Sequence, residues 1–156
     1  MKRLLVVRHA KAEKSAPRGG DFARPLAPRG EADSVEMGRR LARDKTHPDE
    51  IVTSPAERAL ATARLIAREL DFPWDEIRTV KQAYLADAPA LLGLVREFAD
   101  TAESALLVGH NPGISELAQA LVRGFAQDLP TGAVVAIDLP ADTWAGVRHA
   151  SGSLRS

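Results

Sequence analysis

The chain contains no cysteine, so disulfides, thiolate metal sites and a cysteine nucleophile are excluded, and stability has to come from packing. Charge of one sign is lacking too, because 21 lysines and arginines face 21 aspartates and glutamates. That balance removes the global electrostatic reason to expect nucleic acid or an anionic membrane as partner, and any basic function has to be local. Long apolar runs are missing. After Met1-Lys2-Arg3 the run from Leu4 to Val7 stops at Arg8, shorter than the ~7–15 residues of a signal-peptide core. No stretch approaches the ~20 apolar residues needed to span a bilayer. The expectation is a cytoplasmic protein with no membrane and no nucleic-acid partner.

What is present suffices for a core. Of 156 residues, 45% are hydrophobic, which fits one domain over residues 1–156, expected to act as a monomer. Leu4-Leu5-Val6-Val7 is a continuous aliphatic run of the kind that forms a strand covered on both faces. From Lys11 to Pro28 the chain carries Pro17, Gly19, Gly20, Pro25 and Pro28, a long irregular loop of a length that is commonly functional. A helix is expected from about Glu31 to Arg43, and Ile51-Val52-Thr53 reads as a second strand. Ser54-Pro55-Ala56-Glu57 then carries the signature of a capping box, with proline at the first helical position, and the helix runs to about Leu70. A short strand near Ile77 to Val80 is followed by a helix from about Pro89 on Leu91, Val95 and Phe98. Ser104 to Val108 repeats the opening pattern and ends in Gly109-His110-Asn111-Pro112-Gly113. Helix resumes on Ile114, Leu117, Leu121 and Phe125, and strands are expected over Ala133 to Leu139 and Thr143 to Arg148. Strands alternating with helices predict an α/β fold, a three-layer α/β/α sandwich with a mostly parallel central sheet.

In such sheets ligands bind outside the carboxyl ends of the strands. Arg8 and His9 follow the first strand, Arg58 falls in the helix start after the second, and His110 follows the strand ending at Val108. Arginine and histidine at several strand ends, in a chain of zero net charge, make a local anion site, and a phosphoryl group fits it. Phosphoryl transfer asks for positioning and for neutralisation of the equatorial oxygens. A guanidinium forks two oxygens in a planar geometry that lysine does not copy. Neutral imidazole is a competent nucleophile at neutral pH without a separate base. His9 or His110 could serve, and His9 is favoured because Arg8 beside it would hold the same phosphate. His47 and His149 are assigned to structure or surface. Zinc held by His9, His110 and a carboxylate such as Glu13 or Asp87 is chemically conceivable, but the nearby arginines oppose a cation, so neither metal nor cofactor is expected.

At these residues the chain resembles the histidine phosphatase superfamily, of phosphoglycerate mutase-like fold, and within it the small phosphohistidine phosphatases of the SixA type. Four segments carry the resemblance: Leu5 to Glu13, then Asp21 to Leu26 with Arg29-Gly30, then Ser54 to Ala59 with Thr62-Ala63, and Val108 to Gly113. The resemblance implies a covalent phosphohistidine intermediate on His9, a phosphate pocket of Arg8, His9, Arg58 and His110, and a phosphorylated protein or a small phosphate ester as substrate. Ala10 stands where many members of the superfamily have glycine. Larger relatives that act on esters carry a carboxylate after the third strand, and in the corresponding stretch from Gln82 to Asp87 the only carboxylate is Asp87. Asp87 is either that proton donor or the N-cap of the helix entered at Pro89. An alkoxide leaving group needs a proton, whereas imidazole, with a conjugate-acid pKa of ~6.5, needs less help. The leading expectation is therefore a phosphohistidine phosphatase. A broad phosphomonoesterase or sugar-phosphate phosphatase, a non-catalytic phosphoprotein- or phosphate-binding module and a metallohydrolase are the alternatives.

Overall fold

Alternation along the first strand sets up the layers. In the computed structural model, which describes residues 1–155, β1 (Lys2–Arg8) sends Leu4 and Val6 to one side of the sheet and Leu5 and Val7 to the other. Successive side chains of a strand point to opposite faces, so an unbroken apolar run demands cover on both. On one side that cover comes from α1 (Pro28–Arg43) and α2 (Glu57–Glu69), which enclose Ile51, Ala59, Ala63, Ile66, Leu106 and Val108. On the other it comes from α3 (Ala88–Arg96) and α4 (Gly113–Leu121), with Leu91, Val95, Ile114, Leu117 and the fully buried Trp144.

The remaining strands are β2 (Glu50–Thr53), β3 (Arg78–Thr79), β4 (Ser104–Gly109), β5 (Val134–Leu139) and β6 (Ser153–Leu154). The six-stranded sheet has the order β3-β2-β4-β1-β5-β6. The pairs β1–β4, β2–β4 and β2–β3 are parallel, while β1–β5 and β5–β6 are antiparallel. This is the mostly parallel α/β/α sandwich expected from the alternation of elements. Its register positions the site: Arg8 lies opposite Gly109, and Thr53 opposite Val108. Backbone bonds from His9 N–H to the Gly109 carbonyl and from Ser54 N–H to the Val108 carbonyl, each 3.1 Å, carry the alignment past the strand ends. Ser54, His110 and His9 thus leave three adjacent strands side by side.

The C-terminal third departs from expectation. α4 ends at Leu121, and Val122 turns extended to pair with Gly152, so Phe125 packs on the core from outside the helix. The segment read as a strand from Thr143 to Arg148 is instead a 3-10 turn at Trp144–Gly146. Its chain is curled by a bond from the Gly146 N–H to Thr143 Oγ1 at 3.1 Å and by one from the Trp144 N–H to the Asp100 carboxylate at 3.2 Å. The turn drives the indole into the core, where Nε1 donates to the Ala102 carbonyl at 2.8 Å. α1 starts three residues earlier than predicted, with Pro28 in its first turn, a place that proline tolerates because the first N–H groups have no partner in the helix. The loop before it is tied down by a 3-10 turn at Gly20–Ala23 and a bridge between Ala12 and Leu26.

Candidate active site

His9 follows β1 and is buried to 8% exposure. Its Nδ1 lies 2.8 Å from the carbonyl of Ala10. A carbonyl only accepts, so Nδ1 carries the proton and Nε2 carries the lone pair. That lone pair faces Arg58, whose Nε donates to it at 3.3 Å. The Ala10 N–H is in turn fixed on Thr62 Oγ1 at 3.0 Å, and Thr62 donates to the Arg58 carbonyl at 2.8 Å. One turn of α2 therefore holds both the guanidinium and the loop that orients the imidazole.

His110, at the end of β4, packs its ring 5.1 Å from that of His9. Its Nε2 lies 2.8 Å from Ser54 Oγ, while its Nδ1 is buried with no protein partner among the described residues. The expected capping box does not form. Ser54 accepts from the Ala56 N–H at 3.2 Å, but α2 begins only at Glu57, with Ala56 as an N-cap that makes no side-chain bond. The hydroxyl is turned toward His110, which takes it away from the helix end.

Arg8 donates through Nη1 to the Leu129 carbonyl at 2.9 Å, and its buried Nε has no partner among the described residues. Asn111 donates to the same carbonyl at 3.2 Å and accepts from Ser115 Oγ at 2.6 Å. Arg8, His9, Arg58 and His110, with Lys11, Ala12, Arg24, Leu85, Asn111 and Thr131, line one cavity of about 300 Å³. Larger hollows elsewhere on the surface hold none of the four.

Burial is the main force on both imidazoles. It pushes the His9 pKa down to about 4, with Arg58, Arg8 and Arg24 adding to the shift and the Ala10 carbonyl opposing it. His110 is pushed down to about 3, first by burial and then by His9 and Arg58, with Asp21 opposing. Both rings are therefore neutral at physiological pH, and each offers one N–H and one lone pair.

Asp21 is the site residue that the sequence reading did not single out, although it begins one of the segments that carry the resemblance. Arg58 donates through Nη1 to its backbone carbonyl at 2.7 Å and through Nη2 to its carboxylate at 3.0 Å. Tyr84 adds a bond of 2.6 Å to the same carboxylate oxygen, and Arg24 one of 2.9 Å to the other. The Tyr84 hydroxyl bond is the largest influence on the Asp21 carboxyl; desolvation, second in size, opposes it, and the bonds from Arg24 and Arg58 join Tyr84 in holding the group far below the usual carboxylate range. Asp21 in return raises the Tyr84 phenol. Tyr84 also stands edge-on to His110, with ring centroids 5.5 Å apart.

Asp87 does not join this group. It is the N-cap of α3, accepting from the Ala90 N–H at 3.0 Å, and it is absent from the cavity lining. Of its two expected roles, the geometry gives it the cap. Among the described residues no three histidine or carboxylate side chains come together in a way that could hold a metal ion.

Two neutral histidines at adjacent strand ends, bracketed by two arginines in a cavity with no carboxylate among its described lining residues, form a site suited to an anion on an α/β/α sandwich. The sequence profile of the histidine phosphatase superfamily (branch 1) matches residues 4–84, and the chain belongs to that superfamily: it is a hydrolase of the histidine phosphatase class. An uncharacterised protein of Mycobacterium leprae is 32% identical over 120 residues, 74% of this chain and 70% of that protein. Among solved structures, a protein of Agrobacterium tumefaciens assigned as the phosphohistidine phosphatase SixA is 27% identical, with a TM-score of 0.81 over 88% of this chain and 92% of that one. The protein histidine phosphatase SixA complexed with tungstate superposes with a TM-score of 0.79 over 99% of this chain and 94% of that one; at 22% identity the likeness is one of fold.

Proposed function

We propose that the protein is a phosphohistidine phosphatase that takes a phosphoryl group from a protein histidine onto His9 Nε2 and releases it to water. The observation that carries this reading is the cavity wall: it presents Arg8, Lys11, Arg24, Arg58 and two histidines, and no carboxylic acid. The nearest carboxylate bound to this network, Asp21, is ionised under its three donors and has no proton to give. An ester would leave as an alkoxide that needs that proton. An imidazole protonated on its other ring nitrogen departs neutral with the electron pair of the broken P–N bond.

The Nε2 lone pair of His9 attacks phosphorus, and the P–N bond to the substrate breaks as the new one forms. Phosphorylated His9 keeps its Nδ1–H on the Ala10 carbonyl, which stabilises the positive ring. Arg8 and Arg58 neutralise the equatorial oxygens, and His110 supplies a further neutral N–H. Water then attacks phosphorus, the P–Nε2 bond breaks, and dihydrogen phosphate leaves with both protons of the water while His9 returns neutral. The burial that lowers the pKa of His9 keeps the nucleophile unprotonated without a base.

Trapping with a phosphorylated protein donor is expected to leave acid-labile, alkali-stable phosphate on His9, and His9→Ala is expected to lose it. The kcat/KM for a phosphohistidine protein should exceed that for alkyl phosphate esters by orders of magnitude. Equal values for the two substrates would favour a general phosphomonoesterase, and retained binding of tungstate, an oxyanion analogue of phosphate, without any turnover would favour a binding module.

A further inference from the structure

The hydroxyl of Ser54 has one proton, and its surroundings leave one place for it. Ser54 is fully buried. Its oxygen accepts from the Ala56 N–H at 3.2 Å, and the other polar atom bound to it is His110 Nε2, at 2.8 Å. A neutral imidazole offers one donor and one acceptor. If Nε2 carried the proton, it would donate to Ser54. The serine proton would then have no acceptor among the described residues, and the buried lone pair of Nδ1 would be bare as well. If Ser54 donates instead, Oγ and Nε2 are both satisfied, and the one group left over is an N–H at Nδ1, which has no protein partner. The first arrangement strands two buried polar functions and the second strands one. Each stranded function costs a desolvation penalty.

We infer that Ser54 fixes His110 as its Nδ1–H tautomer, so that the cavity presents a neutral N–H donor to a phosphoryl oxygen held against His9. His9 and His110 are then complementary copies of one device. In both rings Nδ1 carries the proton, but the partner differs: the Ala10 carbonyl accepts from Nδ1–H of His9 and bares Nε2 for attack, whereas Ser54 occupies Nε2 of His110 and leaves Nδ1–H as the unpaired donor of a ring that lines the cavity. The opposite tautomer at His110 would turn a lone pair toward the phosphoryl oxygens and repel them. Ser54 is a positioning residue: it touches no substrate and acts through His110. This assignment rests on the phosphatase reading for its purpose, but its core is a statement about a proton on one ring atom.

That proton is directly observable. In the full-length protein labelled with ¹⁵N-histidine, at neutral pH and with no ligand, His110 is expected to show a protonated Nδ1 and an unprotonated Nε2. A protonated Nε2 overturns the inference, whatever the enzyme turns over. Ser54→Ala is expected to let the Nε2–H tautomer of His110 predominate, to weaken tungstate binding by about tenfold, the factor imposed when the competent tautomer is populated to about one tenth, and to lower kcat/KM at least as much. Ser54→Cys, close in size but a weaker donor, is expected to fall between the two in tautomer and in affinity. A Ser54→Ala protein with an unchanged tautomer and unchanged tungstate affinity overturns the positioning role. If Ser54→Ala fails to fold, the wild-type spectrum and the Ser54→Cys protein decide. A wild type with the expected tautomer but no activity on phosphohistidine would refute the proposed function and leave the tautomer assignment standing.

Discussion

Replacing Asp21 by asparagine keeps the backbone carbonyl that receives Arg58 Nη1, removes the charge, and turns one of the two acceptor oxygens into an NH2 donor facing either Arg24 or the pair Arg58 and Tyr84. Arg58 is 3% exposed, and the carboxylate contact to its Nη2 is 3.0 Å. Breaking a fully buried pair costs about 3–5 kcal/mol because the surviving charge is left uncompensated. Asp21 is 44% exposed on its side chain, so water reaches the pair, and the cost falls to that of one charge-assisted hydrogen bond, about 2 kcal/mol. If the whole of this appears as misplacement of Arg58 against the phosphoryl oxygens, kcat/KM drops by about 30-fold. The assay is steady-state turnover of a phosphohistidine protein together with tungstate affinity. A second readout comes from Tyr84, whose phenol Asp21 holds above its usual pKa. In Asp21→Asn a spectrophotometric titration should show that phenol ionising at lower pH. The reasoning is refuted if tungstate binds more tightly to Asp21→Asn, since Asp21 would then be a competitor for Arg58 that the phosphoryl group has to displace.

Asp87→Ala removes the cap of α3 and is expected to cost about 1 kcal/mol of stability, read by urea unfolding, while kcat on phosphohistidine stays within twofold; a collapse of kcat would restore Asp87 as a proton donor. Stability itself should depend on pH in a defined direction. His9 and His110 titrate near 4 and 3 in the folded protein, against ~6.5 in an unfolded chain. Between these values the unfolded chain binds more protons, so their contribution is complete above about pH 6.5 and is lost as pH falls toward the folded values, by about 2 kcal/mol per histidine at about pH 5. Urea unfolding that is equally stable at about pH 7.5 and about pH 5 would contradict the burial of two neutral rings. Gly113→Ala should destabilise by about 1–3 kcal/mol, because a Cβ there would collide with the backbone carbonyl of Ala86. The loss would be visible as a lower Tm, and an unchanged Tm would mean that this turn yields more easily than its packing implies.

Strand ends are legible in a sequence because they are local events. Leu4 to Val7 and Ala105 to Val108 are apolar runs that stop at a charged or turn residue, and that alone located His9 and His110 at the carboxyl edge of a sheet. Arg58 was legible for a similar reason, as a cation in the first turn of the helix that follows a strand. The capping-box pattern at Ser54 misled because a serine hydroxyl near a helix start satisfies whichever partner the tertiary fold brings nearest, and here that partner is an imidazole 56 positions away in the chain. Asp87 shows the converse: a cap is a contact three residues long, so a local rule could offer it as one of two roles, and the structure shows that contact. Asp21 lay outside any local rule. It sits in a glycine- and proline-punctuated loop, and its value comes from Arg58 and Tyr84, 37 and 63 positions distant. The order of residues by itself determined most of the strands and helices up to Leu121, which chemical groups stand at their ends, and that those groups suit an anion, but not the turn at Trp144–Gly146. The tertiary structure alone decided which ring nitrogen carries each proton, what aims Arg58, and that the described residues lining the cavity include no acid, because hydrogen-bond partners and desolvation depend on groups that meet only after the sheet and its two helical layers have closed.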